Sequence, residues 1–408
     1  MRILFVTPRF PYPPLKGDSL RVYHQLRALA QHHNITLLTL AETPVTREEY
    51  AKVAPLCNEI HIVPLTRWES ALNVATGILS QTPLQVHYYA SAKLRAKLQT
   101  LLAAKKFDLV HAVLVRMAPY VWSVSDVPVV IDLIDSQTLN LADRRMQTRG
   151  ITRLAYDLEY RRMRKYERRV GEHFSALTVT SQADRDALEA PHAAVLPNGV
   201  DVERFAFAGQ EQRERATLIF TGNMGYHPNE EAMLWFVSSV WPLLRARIAD
   251  VRLQIVGTRP SSKVRSLAGG GVDVVGHVPD VVPYLHRATA AVCPMRSGSG
   301  IQNKVLEALA TGAPVVASSV ANRGVHAQPE RDLLVADEPE AMTAAIARLV
   351  EDARLRASLA RSGRAFVEDR YRWERHAQQL AAMYSTISKC EPLGPKSPIA
   401  SHPIPLAQ

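Results

Sequence analysis

Short runs of aliphatic and β-branched residues, each followed by a stretch with helical spacing, recur along this chain in two series. The first series opens with Arg2-Ile3-Leu4-Phe5-Val6-Thr7, a run of the fully buried type. It continues at residues 35–40, 59–64, 109–113, 127–134 and 176–180. The second restarts at 218–221 and continues at 251–256, 272–275, 290–293, 314–317 and 333–335. Parallel strands need a crossover between them, usually a helix, so strand–helix alternation predicts a parallel sheet covered by helices. Two such series predict two Rossmann-like α/β halves, with ligands held in a cleft at the carboxyl ends of the strands.

Length agrees with that division. At 408 residues the chain exceeds what one hydrophobic core usually organises. The junction falls near Leu196-Pro197-Asn198-Gly199-Val200-Asp201 and the polar stretch 209–215. The expected domains are 1–197, joined by a final helix at 372–388, and 198–371; the Pro-rich tail 389–408 is expected to be disordered. Cys57, Cys293 and Cys390 are scattered and odd in number, which fits neither a disulfide framework nor a metal motif. With no leader-like or membrane-spanning apolar stretch, a cytoplasmic location is expected. A formal net charge of +10 implies affinity for polyanions.

The richest local pattern is Ser297-Gly298-Ser299-Gly300-Ile301-Gln302-Asn303-Lys304-Val305-Leu306-Glu307, running on to Gly312-Ala313-Pro314-Val315-Val316-Ala317. A Gly/Ser loop opens a helix, Gly312 and Pro314 stop it, and a strand follows. The loop turns unpaired N–H groups and the positive end of a helix dipole toward whatever lies in front, which suits a phosphate. Lys304 adds a cation, and Glu307 could accept hydrogen bonds from sugar hydroxyls. The same pattern is also that of a plain loop-to-helix connection, and no G-x-G-x-x-G fingerprint accompanies it, which disfavours an NAD enzyme.

This run resembles the donor-site motif of the family 4 glycosyltransferases, retaining enzymes of the GT-B fold. Asp108-Leu109-Val110-His111-Ala112, Val179-Thr180-Ser181, the Leu196–Asp201 segment and Phe220-Thr221-Gly222-Asn223 follow the family's order. The resemblance implies a metal-independent hexosyltransferase that uses a nucleotide-diphosphate sugar as donor substrate and needs no cofactor. It implies a glycan or lipid-linked acceptor, cell-surface polysaccharide synthesis, and a last helix crossing back to the N-terminal domain. Glu307 matches the second of two family glutamates, but Ser299 stands at the first. Donor-binding residues are then expected at Gly17, Gly222, Asn223, Arg296, Gly298, Ser299, Gly300, Ile301, Lys304 and Glu307. Lys304, His111 and Asp135 are the candidates for the chemistry. The family's Arg and Lys after the strand 218–221 are missing, since Asn223-Met224-Gly225-Tyr226 occupies that stretch. This leaves the diphosphate's charge to Lys304, Arg296 or Arg116. His111 is expected to end a strand and face the cleft; Asp132 or Asp135 could orient an acceptor hydroxyl or cap the turn that follows.

Residues 144–169 carry ten Arg and Lys against Asp157, Glu159 and Glu167, with Leu154, Tyr156, Leu158, Tyr160 and Met163 interleaved. Three readings apply to that stretch: a solvated helix face, an anionic membrane surface that would make the protein peripheral on the inner face of the cell membrane, and nucleic acid. No helix-turn-helix, zinc-finger or RNP pattern supports the last, so no nucleic-acid partner is expected. A nucleotide-sugar epimerase of the same fold and a non-catalytic basic interaction protein remain alternatives at this point.

Overall fold

The computed structural model describes residues 1–389 except Lys16 and Ser299, and the side chains of Asp143 and Gln147 are also left out. All but the first residue of the expected tail lies outside the described residues. The chain divides into two units, Met1–Pro197 with the chain from His376 onward, and Asn198–Arg375. Each is a doubly wound α/β body, as the GT-B resemblance implies.

The first unit holds a seven-stranded sheet in the order β3-β2-β1-β4-β5-β6-β7. Its strands are β1 Arg2–Thr7, β2 Asn34–Ala41, β3 Glu59–Pro64, β4 Leu109–Val113, β5 Val129–Ile134, β6 Leu177–Val179 and β7 Ala194–Val195. The second holds six strands in the order β10-β9-β8-β11-β12-β13. These are β8 Glu214–Thr221, β9 Arg252–Val256, β10 Val272–Gly276, β11 Ala288–Cys293, β12 Val315–Ala317 and β13 Leu334–Val335. Neighbouring strands in both sheets pair parallel. In each sheet the winding reverses once, between β1 and β4 and between β8 and β11. Ligands of open α/β sheets gather at the carboxyl ends of the strands on either side of such a reversal.

The last helix, Trp373–Ile387, completes the first unit through a buried polar network. Tyr384 pairs its hydroxyl with His111 Nδ1 at 2.7 Å, and His376 Nδ1 reaches the Pro197 carbonyl at 3.1 Å. Gln25 Nε2 lies 3.1 Å from His376 Nε2 and donates to Asp132 Oδ2 at 2.7 Å. Arg21 Nε completes the network with Asp132 at 2.6 Å, both side chains fully buried. Burial would raise the Asp132 carboxyl, but Arg21 outweighs it and holds the group well below the usual carboxylate range.

Two local expectations change. The basic stretch is two helices, Gln137–Gln147 and Gly150–His173, broken where Gly150 takes a φ of +62°. The helix expected after β8 contains a π-helical turn at Phe236–Val240 between His227–Trp235 and Trp241–Arg247.

Candidate active site

In the second unit the ends of β8 and β9 meet through glycines. Gly222 leaves β8 with a φ of +155° and donates its N–H to the Val256 carbonyl at 3.1 Å. Gly257 leaves β9 with a φ of +156°, and a Cβ there would sit 1.6 Å from the Gly222 oxygen. Only glycine tolerates that approach. The turn after Gly222 is held by Asn223, whose Oδ1 accepts from Gly225 N at 3.0 Å and whose carbonyl accepts from Asn229 Nδ2 at 2.9 Å. This orients the buried Asn229 so that its Oδ1 faces a cation.

That cation is Lys304. The loop after β11 passes Gly298 and Gly300, with φ of +119° and +72°, and enters the helix Asn303–Ala310. Gly324 lets the loop close in, because a Cβ there would meet the Gly300 carbonyl oxygen. Ile301 is half-buried against the core of this unit, and Ser299 lies outside the described residues. Val305, Leu306, Ala308 and Leu309 face the core, which puts Lys304 and Glu307, three apart, on the other face. Gln302 at the helix start supplies no side-chain cap. Lys304 Nζ donates to Asn229 Oδ1 at 2.6 Å and Gln302 Oε1 at 3.2 Å, and sits 5.0 Å from the Phe220 ring centre. Burial lowers its pKa, opposed by the nearby Cys293 and Glu307.

Glu307 is half-buried, with no hydrogen-bond or ion-pair partner among the described residues. Burial pushes its carboxyl up to about 7, against the pull of Arg204 and Lys304. A desolvated carboxylate without a partner is costly unless something fills its hydrogen bonds.

Arg296 is exposed, stacks on Trp235 at 4.7 Å and donates to the Asp337 carbonyl at 3.2 Å. It lines a groove of about 650 Å³ with Glu231, Trp235 and Lys263. Gly17 begins the helix Gly17–Leu29 with no neighbour that a Cβ would meet, so packing does not demand glycine there. His111 departs from its expected place. It lies inside β4 rather than at its end, fully buried against Phe5 and Tyr384, and burial holds its pKa down at about 4. The last helix seals it, which removes it from ligand reach. Asp132 is likewise committed to Arg21. Asp135, just past β5, is half-buried and accepts from Gln137 Nε2 at 3.0 Å and Asn140 Nδ2 at 2.7 Å. Burial pushes it up to about 6, with Asp184 and Asp18 adding to the rise and Asn140 and Arg116 opposing it. Arg116 stacks on Tyr89 at 4.5 Å, and its Nε has no hydrogen-bond partner among the described residues.

Two family models match the chain. The model described as Glycosyltransferase Family 4 covers residues 17–204, and that described as Glycosyl transferases group 1 covers 215–352. The chain belongs to the family 4 glycosyltransferases. It is 33% identical over 224 residues to a phosphatidyl-myo-inositol mannosyltransferase of Mycolicibacterium smegmatis, which is 52% of this chain and 57% of that protein. The chain thus spans little more than half the length of this curated relative. Its fold is similar to that of a sucrose-phosphate synthase from Thermosynechococcus elongatus, with a TM-score of 0.70 at 17% identity over 95% and 99% of the two chains. It is also similar to Anabaena HepE solved with UDP-glucose, with a TM-score of 0.66 at 16% identity over 95% and 100%.

Against that family the cation pair missing at Asn223 acquires neighbours that no motif announces. Asn229 reads in the sequence as an ordinary helix residue, yet it anchors Lys304. Arg259 follows Gly257-Thr258 with a φ of +55°, unusual for a residue with a side chain, and its Cβ would lie 3.3 Å from one on Gly225. A positive φ at an arginine leaves no trace in the sequence.

Proposed function

We propose that this family 4 glycosyltransferase is a retaining, metal-independent hexosyltransferase that moves a sugar from a nucleoside diphosphate to a glycan or lipid-linked acceptor, in cell-surface polysaccharide synthesis. The observation that carries this reading is Glu307, a desolvated carboxylate without a partner, three residues from the oriented cation Lys304 at a helix start. In this reading Glu307 accepts hydrogen bonds from the ribose hydroxyls. The backbone at Gly222, Gly298, Gly300 and Ile301, the helix start and Lys304 hold the diphosphate, whose charge grows as the glycosidic bond breaks. Asp135 in the first unit orients the acceptor hydroxyl. No side chain is assigned as nucleophile, and no cofactor takes part because the nucleotide sugar is itself the substrate. The name of the mycobacterial relative supports a lipid-type acceptor, and the UDP-glucose complex of HepE supports a nucleotide-sugar donor.

The test starts with thermal stabilisation by UDP, GDP, ADP and CMP, since a ligand that binds only the native state raises its stability. The matching nucleotide sugar is then assayed for hydrolysis and transfer with and without EDTA. Stabilisation by one nucleoside diphosphate and EDTA-resistant turnover are expected. Stabilisation by none would refute the donor site, and loss of turnover in EDTA would refute metal independence.

A further inference from the structure

Several large apolar side chains of the first unit stand in solvent. In the helix Arg67–Gly77, Ser70 and Gly77 are buried while Trp68 and Leu72 are exposed. One helical repeat farther on, past the helix end, Leu79 is 96% exposed. In the helix Gly150–His173, Met163, Tyr166 and Val170 face the core, so the opposite face carries Ile151, Leu154 and Leu158. By helical spacing the exposed Arg161 and Lys165 continue that same face.

The two apolar stripes are pinned together. Arg162 Nη2 donates to the Ile78 carbonyl at 2.5 Å, Lys165 Nζ to Gln81 Oε1 at 3.0 Å, and Leu84 N to Glu159 Oε1 at 2.6 Å. The turn bearing Leu79 is therefore fastened to the basic half of the long helix. Arg145, Arg164 and Arg168 are paired with Asp157, Glu189 and Glu172, and Glu159 and Glu167 are turned mainly to internal backbone groups. Arg153 and Arg161 have no ion-pair partner among the described residues. Exposed leucines interleaved with unpaired cations suit one occupant best, a bilayer with anionic headgroups, in which apolar side chains enter the acyl boundary while the cations meet phosphates. A second copy of the chain would bring cations against cations.

The geometry points to this face as a bilayer-docking surface, with Leu79 and the Trp68–Leu72 stripe inserting beside the Ile151–Leu158 stripe and Arg161 and Lys165 holding the headgroups. It goes beyond the chemistry proposed above and does not depend on it. The full chain is tested by co-sedimentation with vesicles of phosphatidylcholine alone or mixed equally with phosphatidylglycerol. Binding is expected only to the anionic vesicles, with a blue shift of tryptophan emission as Trp68 enters the bilayer. Leu79→Ser with Leu158→Ser should weaken binding about tenfold or more per leucine, and Arg161→Gln with Lys165→Gln about fivefold per charge. The leucine change should not move the melting temperature, since both side chains are exposed, and the charge change should move it by a few degrees at most, the scale of the one exposed Lys165–Gln81 bond that it removes. Wild-type protein that ignores anionic vesicles at low salt would overturn the assignment. So would unchanged binding by the leucine variant, or a solution dimer that this variant dissolves. Nucleoside diphosphate binding, measured without vesicles, keeps a failure here distinct from a failure of the donor site.

Discussion

Replacing Lys304 by methionine separates the proposed role of this side chain from its structural one. Methionine keeps an unbranched stem of similar length, so packing beside Gly222 and over Phe220 survives. What disappears is the ammonium and its bonds to Asn229 and Gln302. Asn229 cannot turn its amide to compensate, because Nδ2 is already held by the Asn223 carbonyl. Its stranded oxygen costs about 1–3 kcal/mol. Against this, removing a cation whose charged form burial already disfavours returns part of that cost. The net stability change should be about 1 kcal/mol or less, a melting shift of a few degrees. A preorganised stabiliser of leaving-group charge is worth far more to turnover, about 10²- to 10³-fold. The assay is the steady-state turnover number of the matching nucleotide sugar, alongside calorimetric melting. Normal turnover would refute the role of Lys304 in holding the diphosphate. A melting drop large enough to unfold the variant at assay temperature would refute the claim that its structural role is minor.

Three further outcomes follow from the same geometry. Because burial raises Glu307 to about 7, its carboxylate form is lost as pH falls through that value; donor affinity should strengthen between about pH 6 and 8, and Glu307→Gln should flatten the profile in calorimetric titration. The stability sign is opposite: a raised folded pKa favours the fold at low pH and loses that advantage as pH rises from the ordinary carboxyl value of 4.5 through about 7, so Glu307→Gln should also flatten the melting temperature between those values. Gly257→Ala places a Cβ 1.6 Å from the Gly222 oxygen and should destabilise by about 3 kcal/mol or more by denaturant titration. A loss under 1 kcal/mol would show that the β8 and β9 turns can separate. Asp132→Asn removes the carboxylate charge that faces the fully buried Arg21 and should cost about 3–5 kcal/mol by the same measurement.

The fold was largely legible because parallel strands buried on both faces leave continuous apolar runs that any reader can find. β7, Ala194–Val195, abuts the Leu196–Asp201 junction, which masks it, whereas the equally short β13 stands out within Leu333-Leu334-Val335. The break at Gly150 and the π-helical turn at Phe236–Val240 are choices of backbone conformation that helical spacing does not encode. In the proposed site, Lys304 and Glu307 are visible in the sequence because they share one local motif. His111 departs from its expected strand end because its environment comes from Tyr384, 273 residues away, and sequence order does not reveal which distant helix seals a strand. The basic stretch announced its charge plainly. Its exposed leucines did not stand out, since leucines at helical spacing normally face a core.

The missing Arg and Lys after β8 look in sequence like a loss of function, and the structure gives them a different meaning. The loop that lacks them is the loop whose Asn223 carbonyl orients Asn229, and Asn229 in turn receives Lys304. A Cβ on Gly222 would lie 2.8 Å from Asn229 Nδ2, so the absent side chain at Gly222 leaves room for the amide that receives the lysine. Arg259 arrives beside Gly225 from the end of β9 by a backbone conformation that an arginine adopts only under constraint. In the proposed site the positive charge would then come from Lys304 in the helix after β11, with Arg259 beside Gly225 in the turn after β9. A cation tethered through a buried amide is also less free to reorient than one on a loop side chain, and preorganisation of that kind is what stabilises charge at the moment it develops.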